Sequence, residues 1–318
     1  MTQAARLYVC NGKTMGTVYE VKFVTSKPVD EQAIAHGVQE TVQRVDGQMS
    51  TWKPDSELSR FNRSAPGDWF PVPSDLARVV QAGLEIGRLS AGAFDVTVGS
   101  LVNLWGFGPV VRSPSMPDEQ AVSAAAAVVG YENLEARLDP PALRKAAQCF
   151  VDLSGIAKGF GVDQIARYLE HRGILDSLVC IDGEVRVAGC KPGPEGSWLV
   201  AVEAPKAHVR ELWDVLSPKD CSMATSGDYR HFREFDGQHF SHTIDRRTGQ
   251  PVRNAVGSVT VAHPECMLAD AWATALLVLG PQAGVALANA HGIAALFLVR
   301  ADAEIVDITT GDFAAVIG

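Results

Sequence analysis

The chain has 318 residues, which is enough for one large domain or two smaller ones. Hydrophobic residues make up 47% of the chain and charged residues 20%, a composition that is typical of a folded globular protein and excludes an intrinsically disordered one. The net charge of −9, without any stripe of Lys and Arg, argues against nucleic-acid binding. No uninterrupted apolar run has the roughly 18 residues that a membrane helix needs.

The cysteines and the amino terminus bear on the compartment. The six cysteines are scattered and form no C-x-x-C pair, so the sequence suggests neither a zinc site nor a disulfide framework. The opening residues, MTQAARLYVCNGKTMG, contain no apolar segment of the kind found in secretory signals. We therefore expect either a cytoplasmic protein or a chain from which a leader has been removed.

The first predicted elements are a strand at residues 18–24 and two amphipathic helices. Asp30 precedes apolar residues at near-helical spacing and is the predicted cap of the first helix. These apolar residues are Ile34, Val38, Val42 and Val45. The second helix begins at Ser74, which we expect to be its cap. A Pro-rich loop from residue 111 then leads into an alanine-rich helix.

The second half of the chain mixes helices with β-forming runs. The block VDLSGIAKGFGVDQIARYLEHRG predicts a strand end, a glycine-containing turn and a helix that stops at Gly173. Asp236-Gly237 is the best candidate for a hairpin turn. Helices near 267–280 and 281–291 and two terminal strands complete the chain. Because there is no regular βαβ alternation, the pattern favours an α+β fold with antiparallel sheets.

The turn DLSGIAKGFG, residues 152–161, gathers Asp152, Lys158 and three glycines at the start of a helix. Exposed N–H groups there, together with the Lys158 ammonium, would bind an anion. The structural alternative is a glycine-lined helix that packs closely on a sheet. The spacing fits neither a P-loop nor a dinucleotide fingerprint.

Three further clusters carry polar groups in apolar surroundings. In MLADAWATALLVLG, Asp270 and Thr274 lie one turn apart on the same helical face, although a helix near its amino end also favours such a pair. His242 could move a proton, or it could be a structural histidine. Asp95 is not explained by core packing, because an unpaired buried carboxylate is costly. A fourth stretch, MATSGDYRHF, supplies Thr225, Ser226, Gly227 and Asp228, a turn chemistry that could bind ligand or only cap.

These clusters exclude some enzyme classes. A Ser-His-Asp hydrolase would need a G-x-S-x-G elbow, and a dinucleotide dehydrogenase would need its glycine fingerprint; neither is present. A metal-assisted reaction on a phosphate is consistent with the residues. It would use the oxygens of Asp270 and Thr274, the turn with Lys158, and His242 as a base.

Seven motifs occur in an order that resembles the FAD:protein FMN transferases of the ApbE type. They are KTMGTVYEV, MSTWKPDSELSRFN, GAFDVTVGSLVNLWGFG, VDLSGIAKGFGVD, ATSGDYRHF, SHTIDRRTGQPV and LADAWATALLVLG. The resemblance runs from about Met15 to near the carboxyl end. It implies an α+β, T-fold-like unit over residues 1–318, with antiparallel sheets, packed helices, two interlocked subdomains and a short amino-terminal extension at 1–12.

The resemblance also implies an activity and a site. Such an enzyme uses Mg²⁺, binds FAD as its substrate and moves FMN onto a Thr or Ser hydroxyl of an acceptor flavoprotein subunit, releasing AMP. The implied metal ligands are Asp270, Thr274 and the Gly155 carbonyl, and the implied base is His242, so His242 and Asp270 are the expected catalytic residues. The implied FAD contacts are Met15, Trp52, Ala93, Phe94, Asp95, Asp152, Lys158 and the Ile244 backbone.

The chain departs from the family pattern at two turns and leaves two other functions open. It has Asp182-Gly183-Glu184 where the family often has paired glycines, and Arg246 where a proline is common. Because many members work outside the cytoplasmic membrane, the resemblance implies a periplasmic or membrane-facing location and a membrane-associated acceptor. The alternatives are a Mg²⁺-dependent FAD pyrophosphatase that yields FMN and AMP, and a flavin carrier without catalysis.

Overall fold

The computed structural model describes residues 4–110, 116–192, 196–206, 209–230, 232–235, 237–302 and 304–317. Its strands are β1 (Arg6–Thr14), β2 (Thr17–Thr25), β3 (Phe70–Pro71), β4 (Leu134–Leu138), β5 (Pro141–Lys145), β6 (Asp176–Ile181), β7 (Glu184–Ala188), β8 (Val200–Glu203), β9 (Leu212–Leu216), β10 (Ser222–Gly227), β11 (Phe232–Phe235), β12 (Gln238–Ser241), β13 (Ile244–Asp245), β14 (Gln250–Pro251), β15 (Val256–His263), β16 (Ala294–Ala301) and β17 (Glu304–Thr310). Its helices are α1 (Glu31–Met49), α2 (Glu57–Arg63), α3 (Ser74–Leu89), α4 (Gly99–Leu104), α5 (Glu119–Ala126), α6 (Ala157–His171), α7 (Cys266–Ala290) and α8 (Phe313–Ile317), with a short 3₁₀ turn at Tyr131–Asn133.

One large sheet organises the fold. Its eight strands have the order β1-β2-β6-β7-β10-β15-β16-β17, and every pairing between them is antiparallel. The four smaller sheets, β3-β5-β4, β8-β9, β11-β12 and β13-β14, lie outside it. The expected α+β class with antiparallel sheets is therefore confirmed.

The long helices cover one face of the large sheet. Helix α7 packs against β10 and β15, and α6 packs between α1 and α7. Among the described residues, α7 alone matches a membrane span in length and apolar composition. It is interrupted at Gly280, where φ is 78°, just before Pro281, and most of its first half is buried. This buried position makes α7 the central helix of the core.

Several local predictions are confirmed, and one cap is wrong. Asp30 accepts a hydrogen bond from the Ala33 N–H and caps α1. Helix α6 ends just before Gly173, whose φ of 74° suits a left-handed residue after a helix. The break at Gly280 separates the two predicted helices. Ser74, however, is the first residue of α3, which follows Pro73 and has no side-chain cap.

The strands that were not predicted are the main difference from expectation. Residues 6–12, within the expected amino-terminal extension, form most of the edge strand β1. Of residues 225–228, which were expected to form a turn, 225–227 belong to β10 between β7 and β15; this prediction was wrong. In the predicted hairpin, Phe235 pairs with Gln238 and Gly237 has a φ of 73°, whereas Asp236 lies outside the described residues.

Candidate active site

A cavity of about 710 Å³ opens where the beginnings of α6 and α7 meet β7, β10 and the segments around residues 93–98 and 242–246. It brings together most of the side chains that the sequence singled out. The predicted residues that line it are Ala93, Phe94, Asp95, Asp152, Gly155, Lys158, His242, Ile244, Asp270 and Thr274. Segments that are far apart in sequence therefore meet around one space.

Two predicted FAD contacts, Met15 and Trp52, do not line this cavity. Met15 lies in the β1–β2 turn with a φ of 47° and packs half-buried against the core. Trp52 follows α1 and is 66% exposed. Their contacts with FAD stay predictions.

The oxygen atoms suited to a cation lie where α6 and α7 approach each other. Asp270 Oδ2 accepts a hydrogen bond from the Gly159 N–H at 3.0 Å, and Thr274 Oγ1 lies 3.0 Å from Ser226 Oγ on β10. A β-carbon on Gly155 would lie 3.1 Å from Thr274 Oγ1, closer than ordinary contact, so a glycine here lets the backbone approach the hydroxyl. The Asp270 carboxylate, the Thr274 hydroxyl and the backbone of Gly155 thus lie on one side of the cavity.

Lys158 is committed to carboxylates of the protein. Its Nζ donates to Glu184 Oε1 at 2.9 Å and contacts Asp182 Oδ2 at 3.3 Å. Burial lowers the pKa of Lys158, but Glu184, Asp270 and Asp182 outweigh burial and hold that pKa well above its usual value. The ammonium therefore stays charged. Two of the groups expected to bind an anion already have partners in the protein: Lys158 pairs with Glu184 and Asp182, and the Gly159 N–H donates to Asp270.

The surroundings of Asp270 disfavour its negatively charged form. Burial raises the pKa of Asp270 to about 8, the nearby Glu184 adds to the increase and Lys158 opposes it. Burial likewise raises the pKa of Glu184, whose Oε2 is buried without a hydrogen-bond partner. The crowded carboxyl groups would repel a diphosphate, so a diphosphate could enter only with cations that neutralise them.

The donor set fits a magnesium ion. Among the described residues no three His, Cys, Asp or Glu side chains are grouped as a metal site. A cation beside Asp270 would therefore take mainly neutral oxygens, such as Thr274 Oγ1 and the Gly155 carbonyl. Mg²⁺ typically binds one or two carboxylates and keeps positions for phosphate and water, which matches such a sparse set.

Asp95 lies on another wall of the cavity and is fully engaged. Its Oδ1 accepts from the backbone N–H and the hydroxyl of Thr97, both at 2.7 Å. Its Oδ2 accepts from the Tyr131 N–H at 3.1 Å and from Arg246 at 2.8 Å. Arg246 also pairs with Glu132 and, mainly through that hydrogen bond, lowers the pKa of Glu132. Asp95 therefore joins three segments of this wall.

The remaining predicted residues shape the cavity. His242 follows β12, and its ring meets the Phe107 ring edge-on with centroids 6.4 Å apart. Ile244 is buried in β13 opposite Pro251. Asp152 accepts a hydrogen bond from the Ser154 N–H and forms the turn that leads into α6.

Sequence reasoning gave no site role to Glu184 and placed Ser226 in a turn that could bind ligand or only cap. Glu184 begins β7 with only 2% of its surface exposed. An acidic residue that follows a glycine turn and opens an apolar strand is a signal that could have identified it. The residue type of Ser226 indicated a possible ligand contact, but its place beside Thr274 comes from the packing of β10 on α7.

Comparisons with known proteins give the chain's family and its relatives. The ApbE family model matches residues 15–297. A Vibrio cholerae relative named FAD:protein FMN transferase is 41% identical over 294 residues, which are 92% of this chain and 87% of that relative. The structure of a flavin transferase ApbE from Vibrio cholerae superposes with a TM-score of 0.90 and 38% identity, covering 98% of this chain and all of that one. An apo flavinyl transferase ApbE from Pseudomonas stutzeri gives a TM-score of 0.88 and 36% identity, covering 99% and 98%.

Proposed function

The chain belongs to the ApbE family and is a flavin transferase, and from that premise we propose that it moves the FMN half of FAD onto a Thr or Ser hydroxyl of an acceptor protein with the help of Mg²⁺. The relatives' names supply the donor, FAD, and the kind of acceptor, a protein. The relatives' names do not give the hydroxyl acceptor, the release of AMP or the metal, which are our own additions to the proposal.

The proposed reaction is a displacement at phosphorus. The acceptor oxygen bonds to the phosphorus on the riboflavin side of the FAD pyrophosphate, and the bond from that phosphorus to the bridging oxygen breaks. AMP leaves with the electron pair, and the product is a phosphoester between FMN and the acceptor. His242, which lines the cavity after β12, is the proposed base for the hydroxyl proton.

The observation that carries the proposal is the convergence of Asp270, Thr274 and Gly155 in the cavity that His242 also lines. Asp270, Thr274 and the Gly155 carbonyl would hold Mg²⁺, which when bound would neutralise charge on the pyrophosphate and on the leaving phosphate. Lys158 stays protonated and offsets part of the acidic charge on this wall. Apolar Phe94 and Ile244 would shield the flavin side from water.

The test follows both products. The protein is incubated with FAD, Mg²⁺ and a candidate acceptor domain, AMP release is measured, and the acceptor is weighed by intact mass spectrometry. We expect an FMN-sized mass gain that EDTA abolishes and that Asp270→Asn reduces strongly. The matched control is Asp307→Asn on the edge strand β17, which should behave like the wild type.

Each other outcome overturns part of the proposal. AMP release without a mass gain on any hydroxyl-bearing acceptor would favour the pyrophosphatase. FAD binding without AMP release would favour the flavin carrier. A membrane-associated acceptor and a periplasmic or membrane-facing location stay predictions, which fractionation of cells that express the protein would check.

A further inference from the structure

The first turn of α7 is capped by a side chain from a different helix. Both Cys266 and Met267 donate their backbone N–H groups to the Asp163 carboxylate of α6, each at 3.0 Å. The residue in the cap position of α7, Glu265, makes no side-chain cap hydrogen bond. By contrast, α1 is capped by Asp30, which directly precedes it. A residue just before α7 could satisfy these N–H groups equally well. Capping alone therefore does not explain why the carboxylate comes from α6.

A second hydrogen bond joins the same two helices one turn away. Gly159 lies one turn before Asp163 on α6, and its N–H donates to Asp270, which lies one turn after Cys266 on α7. The bonds therefore cross between antiparallel helix segments. A β-carbon on Gly159 would overlap the Cys266 carbonyl, so only glycine permits this approach. We call Gly159, Asp163, Cys266, Met267 and Asp270 the α6–α7 clasp.

The clasp is buried and anchored to the sheet. Asp163 is 4% exposed, and Arg186 of β7 places Nη1 3.5 Å from its Oδ1. Arg186 also donates to Ser222 Oγ of β10 at 3.3 Å and to the Pro264 carbonyl just before α7. The position of the first turn of α7 is thus fixed from α6 and from two strands.

We propose that Asp163 is a positioning residue for the cation site: by holding the first turn of α7 against α6, it sets Asp270 and Thr274 at the correct height opposite Gly155. The inference rests on the proposed function, because it assumes that a cation binds there. Asp163 itself does not touch the cavity. Its effect is transmitted through one helical turn of α7, and partners of this kind tune metal affinity.

The test measures metal binding directly, with Mn²⁺ as the probe. Free Mn²⁺ is counted by electron paramagnetic resonance during a titration, and the Mg²⁺ concentration for half-maximal FAD turnover is measured separately. Asp163→Asn keeps the shape but has one acceptor oxygen for two N–H donors. We expect it to weaken Mn²⁺ binding by about tenfold or more and to raise half-saturating Mg²⁺ equally, with a smaller change in kcat at saturating Mg²⁺.

The control and a second variant separate the alternatives. Asp30→Ala removes the local cap of α1 and should lower the melting temperature without changing Mn²⁺ affinity. If Asp163→Asn does not fold, Cys266→Pro decides, because proline is tolerated at the first helical position and removes one clasp N–H. Cys266→Ala, which loses the same buried thiol but keeps the N–H, is its matched control. Unchanged Mn²⁺ and Mg²⁺ constants in the folded variant would overturn the inference. A wild type that binds no Mn²⁺ would instead overturn the proposed function.

Discussion

Two of the buried aspartates that line the cavity, Asp95 and Asp270, have opposite surroundings. Asp95 is 7% exposed and its two oxygens accept hydrogen bonds from Thr97, Tyr131 and Arg246. Asp270 is 3% exposed, accepts a hydrogen bond from the Gly159 N–H and has a pKa raised by burial and by Glu184. Burial alone therefore does not distinguish Asp95 from the proposed metal ligand Asp270. The number of donors that the protein itself supplies does.

This difference in hydrogen-bond donors predicts different roles for Asp95 and Asp270. The folded chain alone satisfies the Asp95 carboxylate, so its loss should lower the free energy of unfolding. Asp270 is compensated only in part, by the Gly159 N–H and the charge of Lys158, and would gain more from a cation, so its loss should reduce metal-dependent turnover. The predictions below test this separation.

The largest effect is expected for Asp270→Asn. The amide can still accept from the Gly159 N–H but provides no negative charge, so Mg²⁺-dependent turnover should fall by at least about a hundredfold. In EDTA the variant should be no less stable than the wild type, because a costly buried carboxyl is removed. Differential scanning fluorimetry adds a second measurement: Mg²⁺ at a hundred times its dissociation constant should stabilise the wild type by about 2.7 kcal/mol and the variant far less.

A variant that loses stability in EDTA but keeps its dependence on Mg²⁺ would reverse the assignment and make Asp270 a structural residue like Asp95. The Asp307→Asn control guards against a general effect of losing a carboxylate.

His242→Ala should come next in size. If His242 takes the hydroxyl proton, single-turnover flavin transfer should slow by about a hundredfold, whereas FAD affinity measured by flavin fluorescence should stay within about threefold. His36→Ala, on the exposed side of α1, is the control. Weaker FAD binding at an unchanged transfer rate would make His242 a ligand contact rather than the base.

Much of this arrangement could be predicted from sequence, because the relevant signals are local. The pair Asp270 and Thr274 depends on helical spacing alone, and the end of α6 depends on Gly173. Ser226 could not be placed, because its segment becomes strand β10 through pairing with β7 and β15 rather than through its own propensity. The pairing of Asp95 with Arg246 could not be predicted either, because the two residues lie 151 positions apart in the chain and meet only in the folded protein.

Asp95→Asn should mainly change stability. Asn retains one acceptor oxygen but turns an amide group towards Arg246 or the Thr97 N–H, so a charged hydrogen bond is lost and a donor faces a donor. We expect the free energy of unfolding in urea to fall by about 2 kcal/mol. The Mg²⁺ requirement should not change. A tenfold rise in half-saturating Mg²⁺ would contradict the comparison, because it would show that Asp95 acts on the cation.

The smallest effect is expected from pH at His263, which borders the first turn of α7. Its Nδ1 accepts from the Glu265 N–H, and burial lowers its pKa below the ordinary value, although Glu265 and Asp163 oppose the shift. A lowered pKa means that the folded state resists protonation while the unfolded state accepts it. The stability contribution is therefore complete above the unfolded pKa and is lost as the pH falls through the folded pKa.

His263→Asn isolates this term, because an Asn side chain can accept the same N–H two residues on without titrating near neutral pH. Between pH 7 and pH 5 the free energy of unfolding, measured in urea, should fall more steeply for the wild type than for the variant. Other groups titrate equally in both proteins and cancel in the difference. Parallel curves would show that His263 is not part of the support for α7. A steeper wild-type curve would show that His263 stabilises the first turn of α7, the helix that carries Asp270. Asp95 is held by other segments, which do not contain His263.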